Sequence, residues 1–314
     1  MRALIVVIVV GVLGGSVLQT PASGQTAPPD TDIYLLQIPG GLASLKASRP
    51  SPIATAPGYD NQPMFSADGS RILFAANRDG KQTDVYVYER TGNRVSQLTQ
   101  TAENENSPTC LPDGIGDPSG FSVVRTEPDK TQRLWRFDAQ GRNPVVVLTD
   151  VKPVGYHAWV DADTVALFVL GPPSTLRVAS LKTGKAEIVA EDIGRSLHRI
   201  PGTHLVSFVH HDASGEFWVK QLDPSSKKIE PLVKTVAGSA DRDMAWMPDG
   251  KTILMSSGTK VYSWVRGQSE WTEVFDAATH GLGAVSRLAI SPKGDAIAIV
   301  VAESKPKAAL QVQR

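Results

Sequence analysis

The stretch from Asn61 to Thr99 limits the fold more than any other part of the chain. Three turn signals, Asp68-Gly69, Asp79-Gly80 and Thr91-Gly92-Asn93, cut it into four short strands. Asp-Gly and Gly-Asn suit the positive φ angles of tight hairpin turns. Ile72–Ala76 and Val85–Tyr88 between them are apolar on both faces and rich in β-branched and aromatic residues. Strands of that kind need cover on both sides. A four-stranded meander covered on both faces is one blade of a propeller, flanked by its neighbours.

The first turn of this unit recurs at Asp113-Gly114, Asp161-Ala162, Pro201-Gly202, Asp249-Gly250 and Lys293-Gly294, at spacings of 45, 48, 40, 48 and 44 residues. One four-stranded blade per period accounts for such spacings. The ends do not complete a blade alone. Ser286–Val301 supplies two inner strands and stops, while Asp32–Ile38 and Pro52–Thr55 read as two outer strands without inner partners. Pairing them removes exposed sheet edges. The expected fold is all-β: a six-bladed propeller of four-stranded antiparallel blades, with N- and C-terminal strands sharing one blade.

Met1-Arg2 followed by the uncharged, mostly apolar run Ala3–Leu18 reads as a secretory signal too short to span a bilayer comfortably. Ala22 and Gly24 fit cleavage before Gln25, with a rival site at Ala22, and no cysteine follows to carry a lipid anchor. The expected divisions are a signal peptide at 1–24, a flexible lead-in at 25–31, a propeller at 32–303 and a tail at 304–314. The mature chain is expected to be periplasmic or secreted, not inserted in the membrane, and monomeric. Basic and acidic residues balance at 32 each, which gives no electrostatic case for nucleic acid. Cys110 is the only cysteine, so no intrachain disulfide forms. It is expected to be a small buried apolar residue.

Phe65–Phe74, then Asn77-Arg78-Asp79-Gly80 and Asp84-Val85-Tyr86, closely resemble the repeat of TolB-like propellers, whose pattern is roughly W/F-S-P-D-G-x-x-I-x-F, N-R-D-G and D-I-Y. The resemblance covers nearly the whole mature chain, with one high-grade repeat and five weaker ones. It implies a channel mouth that receives peptide segments of partners. TolB proper also carries an N-terminal α/β domain. Only the lead-in separates signal from first strand here, so that domain is expected to be missing and the chain to act as a stand-alone exported module. The resemblance also implies an alternative, since some sugar-acid lyases use related propellers: a metal-assisted lyase or hydrolase acting on a polar substrate at the channel mouth.

Propellers carry function on loops at one end of the channel. The segments leading into the first strands hold Asp60, Glu105, His157, Arg195, Asp241, Arg242 and Arg287. These are the expected ligand-binding residues, gathered toward one axis by the repeat. Their mixed charge suits an exported protein or peptide, or a small polar ligand. Solvated loops with surface ion pairs are the plainer alternative. His210 and His211 are adjacent on a strand and point to opposite faces, and the remaining histidines show no ligand spacing. Asn77–Gly80 with Asp84 lacks the alternating acids of a calcium loop and reads as an Asx-type turn. No G-x-S-x-G elbow or H-E-x-x-H motif occurs. Ser66–Gly69 departs from the sialidase Asp-box, and the length leaves no room for a prolyl-oligopeptidase hydrolase domain. No catalytic residue, metal or cofactor is expected.

Overall fold

The computed structural model describes residues 30–303 apart from Asp79 and Asp241. The signal segment, the lead-in as far as residue 29 and the tail lie outside it. Two strands come first, Thr31–Gln37 (β1) and Ser51–Ala54 (β2). The first blade follows as Tyr59–Phe65 (β3), Arg71–Asn77 (β4), Asp84–Glu89 (β5) and Arg94–Gln97 (β6). The second is Asn104–Cys110 (β7), Phe121–Thr126 (β8), Gln132–Phe137 (β9) and Val145–Val146 (β10). The third is Val154–Trp159 (β11), Thr164–Val169 (β12), Thr175–Ser180 (β13) and Ala186–Glu191 (β14). Ile193–Arg199 (β15), Val206–His211 (β16), Phe217–Leu222 (β17) and Ile229–Lys234 (β18) make the fourth. Met244–Trp246 (β19), Thr252–Ser257 (β20), Lys260–Val265 (β21) and Thr272–Asp276 (β22) make the fifth. Val285–Ile290 (β23) and Ala296–Ala302 (β24) end the fold.

Each blade is antiparallel in chain order. The closing sheet runs β23-β24-β1, with β2 on β1, and meets the first blade through a single parallel bridge between Thr31 and Tyr59. β1 pairs with β24 from Thr31↔Ala302 to Gln37↔Ala296. The first and last strands of the described residues are thus joined along their whole length.

The doubly apolar strands have the cover they require. Ile72 to Ala76 are all buried. Phe74 and Ile72 pack on Ile33 and Val300 of the closing sheet, while Leu73 and Val85 face Phe121 and Val123 of the second blade. The same alternation joins every later blade to the next, and Leu254 and Phe275 of the fifth pack on Leu288 and Ile299 to complete the circuit. Stability therefore comes from packing between blades, not within them.

Two features were not legible. A short 3-10 helix, Gly41–Ala47, interrupts the closing blade between β1 and β2, and its buried Leu45 packs with Phe275 and Ala277 of the fifth blade. The inner strands are also irregular: β3, β7, β11, β15 and β23 each slip register against their neighbour. Such bulges re-aim side chains.

The turns behave as their residues require. Gly69 and Gly250 sit at φ 73° and 63°. A Cβ on Gly250 would meet the Pro201 carbonyl oxygen at 2.5 Å, so space as well as conformation demands glycine there. Asn77 Oδ1 accepts the Gly80 amide at 2.7 Å, the Asx-type bond expected of that turn. Cys110 corrects an expectation: it is half-buried, not buried, and its thiol donates to the Phe65 carbonyl at 3.3 Å. Burial raises its pKa, which keeps it a thiol. No helix among the described residues is long and apolar enough to cross a membrane.

Candidate functional site

The inner strands can be aligned by their pairing with the second strand of each blade. Phe65↔Ile72, Cys110↔Phe121, Trp159↔Val165, Arg199↔Val206, Trp246↔Ile253 and Ile290↔Ile297 are equivalent pairs. Three residues before each anchor stand Gln62, Ser107, Tyr156, Ser196, Asp243 and Arg287. This level forms a ring of polar ties around the axis. Gln62 Oε1 accepts the Ser107 amide at 2.7 Å, and Ser196 Oγ accepts the Met244 amide at 3.0 Å. Asp243 Oδ2 accepts the Leu288 amide at 3.0 Å, while its Oδ1 lies 3.5 Å from Arg287 Nη1. Arg287 Nη2 then donates to Tyr156 Oη at 2.8 Å. This last bond joins β11 of the third blade to β23 of the closing sheet. Gln62 and Ser107 hold φ of 57° and 54° at the bulges, the left-handed region in which non-glycine residues concentrate at functional sites.

A cavity of about 400 Å³ adjoins the ring. Its lining includes Gln62, Ser107, Tyr156, His157, Arg195, His198, Asp243 and Arg287, and reaches Leu111, Pro112 and Arg199 at the far ends of β7 and β15. Asp60, Glu105 and Arg242, from the segments that lead into the first strands, are not part of its lining. The cavity therefore lies along the inner strands toward the end at which they finish.

Three of the expected site residues, His157, Arg195 and Arg287, line this cavity. The expectation of convergence is corrected for Asp60, Glu105 and Arg242. Asp60 stands two residues before the ring level on a bulged strand; it is buried, and its Oδ1 meets Arg78 Nη2 at 2.7 Å. Burial pushes its pKa up to about 6, against the opposing pull of Arg78. Glu105, at the same level of β7, has no exposed surface. Its carboxylate accepts from Thr99 Oγ1 at 3.0 Å and from Thr101 Oγ1, with Arg125 Nε at 3.3 Å. Burial pushes its pKa up to about 7 despite those partners. Arg242 turns away from the axis and lays its guanidinium on the Phe217 ring, 3.4 Å from the centroid. Asp241 lies outside the described residues.

Sequence reading passed over Tyr156, Ser107 and Tyr59, and placed Asp243 among the acids of the channel mouth without choosing it as a ligand-binding residue. Burial pushes the Tyr59 hydroxyl up to about 12, against the pull of Arg287, so it stays a neutral phenol. Burial also works against the Arg287 charge, but Tyr156, Asp243 and Tyr59 outweigh it and hold the guanidinium above its usual pKa. His157 is buried and its pKa falls to about 3, so its ring is neutral. His198 shifts the same way through burial, partly offset by Asp243. His157 Nε2 lies 2.7 Å from Ser122 Oγ, which also receives Trp159 Nε1–H at 2.9 Å and sits 3.2 Å from the Thr109 carbonyl. Two buried lining atoms, Ser107 Oγ and His157 Nδ1, make no hydrogen bond with the described residues. Buried polar atoms in that state are costly unless something else meets them. No group of three or more His, Cys, Asp or Glu side chains that could hold a metal occurs among the described residues.

No family model matches the sequence, and no curated protein matches it. Solved structures do. A putative TolB from Agrobacterium tumefaciens superposes with a TM-score of 0.68 at 14% identity, covering 88% of this chain and 100% of that one. TolB from Acinetobacter baumannii gives 0.57 at 12% identity, over 88% of this chain and 65% of the other. A chain of the nidogen/laminin complex gives 0.59 at 10% identity, over 82% and 97%. At such identities the likeness speaks for architecture alone, and the chain has the fold of the TolB-like β-propellers.

Proposed function

We propose that the chain is an exported, non-enzymatic binding module: a six-bladed propeller, its last blade shared by the two chain ends, that takes an extended peptide or a small polar ligand in its central cavity. One observation carries the reading. The cavity is lined by polar residues of β3, β7, β11, β15 and β23 and by Asp243 just before β19, and two of its lining residues carry a buried polar atom, Ser107 Oγ and His157 Nδ1, with no partner among the described residues. Concave sites with a few convergent polar groups are where ligands bind. The expected ligand-binding set narrows accordingly to His157, Arg195 and Arg287, joined by Ser107, Tyr156 and Asp243. The propeller in the nidogen/laminin complex supports a protein partner as one form of ligand. Export rests on the apolar leader after Met1-Arg2.

The test fills the cavity. Thr109 lines it from β7, where an aromatic residue suits a strand. Thr109→Trp should occupy the space and abolish capture of partners from an extracytoplasmic extract, while Arg242→Ala should capture as wild type does. Equal capture by Thr109→Trp at an unchanged melting temperature would place binding elsewhere. Mass spectrometry of the native protein should find an N-terminus near Gln25; a retained Met1 would remove the export reading.

A further inference from the structure

We infer that a hollow between the fourth and fifth blades binds a neutral sugar ring, as one unit of a glycan chain. The hollow lies where β18 of the fourth blade ends beside the segment that leads into β22 of the fifth. It measures about 580 Å³ and shares no lining residue with the central cavity, so it is a second site of a size that suits a small ligand.

Aromatic surface comes first. Trp218 lines the hollow from the fourth blade, Tyr262 and Trp271 from the fifth. All three are half-buried, so each keeps part of its surface in water. Val233 and Val236, both buried, add aliphatic lining. Trp271 is held in place: its Nε1–H donates to the Lys234 carbonyl at 2.8 Å, and its ring lies 6.5 Å from that of the buried Trp264. A side chain fixed before the ligand arrives has little freedom left to lose on binding.

Charge comes second, and it selects a neutral ligand. Lys234 Nζ lies 5.6 Å from the Trp218 ring centroid, so that ring already has its cation. The same ammonium is matched by Glu216 at 3.2 Å, and Glu270 adds a carboxylate to the lining, which together oppose an anion. Hydrogen bonding then separates a sugar from a proline-rich peptide. Such a peptide docks in an aromatic groove and needs donors for its carbonyls, but the Trp271 donor is spent on Lys234. The exposed Gln268, Ser269 and Glu270 at the rim both donate and accept between them. A sugar ring is the complement: its C–H face packs on aromatic rings, whose faces are negative, and its hydroxyls donate and accept at its edge.

The experiment is calorimetric titration of the full chain with cellohexaose and maltohexaose, two neutral glucose chains, beside hexagalacturonate, tetramethylammonium and octaproline. At least one glucose chain should bind, and the other three probes should not. Trp218→Leu keeps an apolar side chain and removes the ring; it should weaken sugar binding about tenfold, the scale of one aromatic contact. Trp218→Phe should stay within about threefold of wild type. Gln268→Ala, on the exposed rim, should weaken binding about threefold whether or not Trp218→Leu folds. Thr109→Trp, which fills the central cavity, should bind sugar as wild type does. Hexagalacturonate or tetramethylammonium binding as tightly as glucose chains would overturn the neutral assignment, and octaproline binding alone would make the hollow a peptide groove. Sugar binding that ignores both Trp218→Leu and Gln268→Ala, or that Thr109→Trp removes, would place the sugar elsewhere. Failure of both glucose chains to bind would end the assignment, and a wild-type dimer that Trp218→Leu dissociates would then make the hollow a contact between copies of this chain.

Discussion

Glu105 and Ser107 stand two residues apart on one inner strand, and their surroundings could hardly differ more. The Glu105 carboxylate is closed in by Thr99, Thr101 and Arg125, with Arg125 also bound to Glu103 and stacked on Trp135, 4.9 Å from its ring centroid. The charges of that cluster are matched within the first and second blades, with Arg125 Nε held to Glu105 Oε1 at 3.3 Å as an ion pair and not by a hydrogen bond. Ser107 Oγ has no partner among the described residues, nor does His157 Nδ1 on the next blade, and both residues line the cavity. Both regions are buried and polar. The difference is completeness. A network that satisfies itself fastens blades together, whereas one left open toward a cavity has donors to spare for something else.

The comparison breaks if the Glu105 cluster proves dispensable. Arg125→Ala should be the most damaging change, because it strands a fully buried carboxylate. A loss of about 3 kcal/mol is expected, read from the denaturant midpoint at pH 8. The loss should shrink toward pH 5, where Glu105 can take up a proton. A variant as stable as wild type at both pH values would show that the cluster fastens nothing.

Glu105→Gln sharpens the same point through pH. Glutamate titrates ordinarily near 4.5 and here near 7, so the folded state binds its proton more tightly than the unfolded chain does. The group's stabilising contribution is complete below pH 4.5 and is lost as pH rises through 7. About 2–3 kcal/mol is at stake across that window. His157, with its lowered pKa, acts in the opposite sense as pH falls. The test is therefore the difference between wild-type and Glu105→Gln stability curves, in which His157 cancels. A flat difference from pH 4.5 to 7 would mean that Glu105 is not buried as a carboxylate.

How much of this could be read in advance depended on what the repeat controls. Turn residues such as Asp68-Gly69 and Asp249-Gly250, and the doubly apolar runs at Ile72 and Val85, announced blades because they encode local geometry. The shared blade followed from unpaired strands at the two ends. The axis was harder to find. Counting forward through the segments before each first strand selected Asp60, Glu105 and Arg242, which turn into blade interfaces or onto Phe217. Counting back from the strand's own anchor, Phe65, Cys110 or Trp159, selects the ring. That count works only with the register slips in β3, β7, β11, β15 and β23 in view. A bulge shifts which side chain faces the channel without altering composition or period. The recurrence of Gln62-Pro63 as Ser107-Pro108, one repeat apart, was the available hint.

On the open side of the comparison, Tyr156→Phe removes only the hydroxyl that receives Arg287 of the closing sheet. Arg287 keeps Asp243 at 3.5 Å, and the cavity gives it other acceptors in water. A cost of about 1.5 kcal/mol is expected, at the low end for a bond to a charged group. A loss as large as that of Arg125→Ala would mean that the ring, too, is a closed structural network.

Arg242→Ala should have the smallest effect of all. This arginine sits before β19 with φ 48°, donates to the Ala240 carbonyl at 3.2 Å and covers the half-buried Phe217 ring. A cation over an accessible aromatic face contributes roughly 0.5–1 kcal/mol. Substitution should lower the melting temperature slightly and leave capture of partners unchanged, because the guanidinium lies on the Phe217 ring and Arg242 does not line the cavity. Arg195→Gln, at the same level one blade away, should do the reverse and weaken binding, because Arg195 lines the cavity. The pair separates two arginines that the sequence presents as equals. If Arg242→Ala weakens binding and Arg195→Gln does not, the ligand sits on the loops before the inner strands, and the ring of Gln62, Ser107, Tyr156, Ser196, Asp243 and Arg287 is only a fastening.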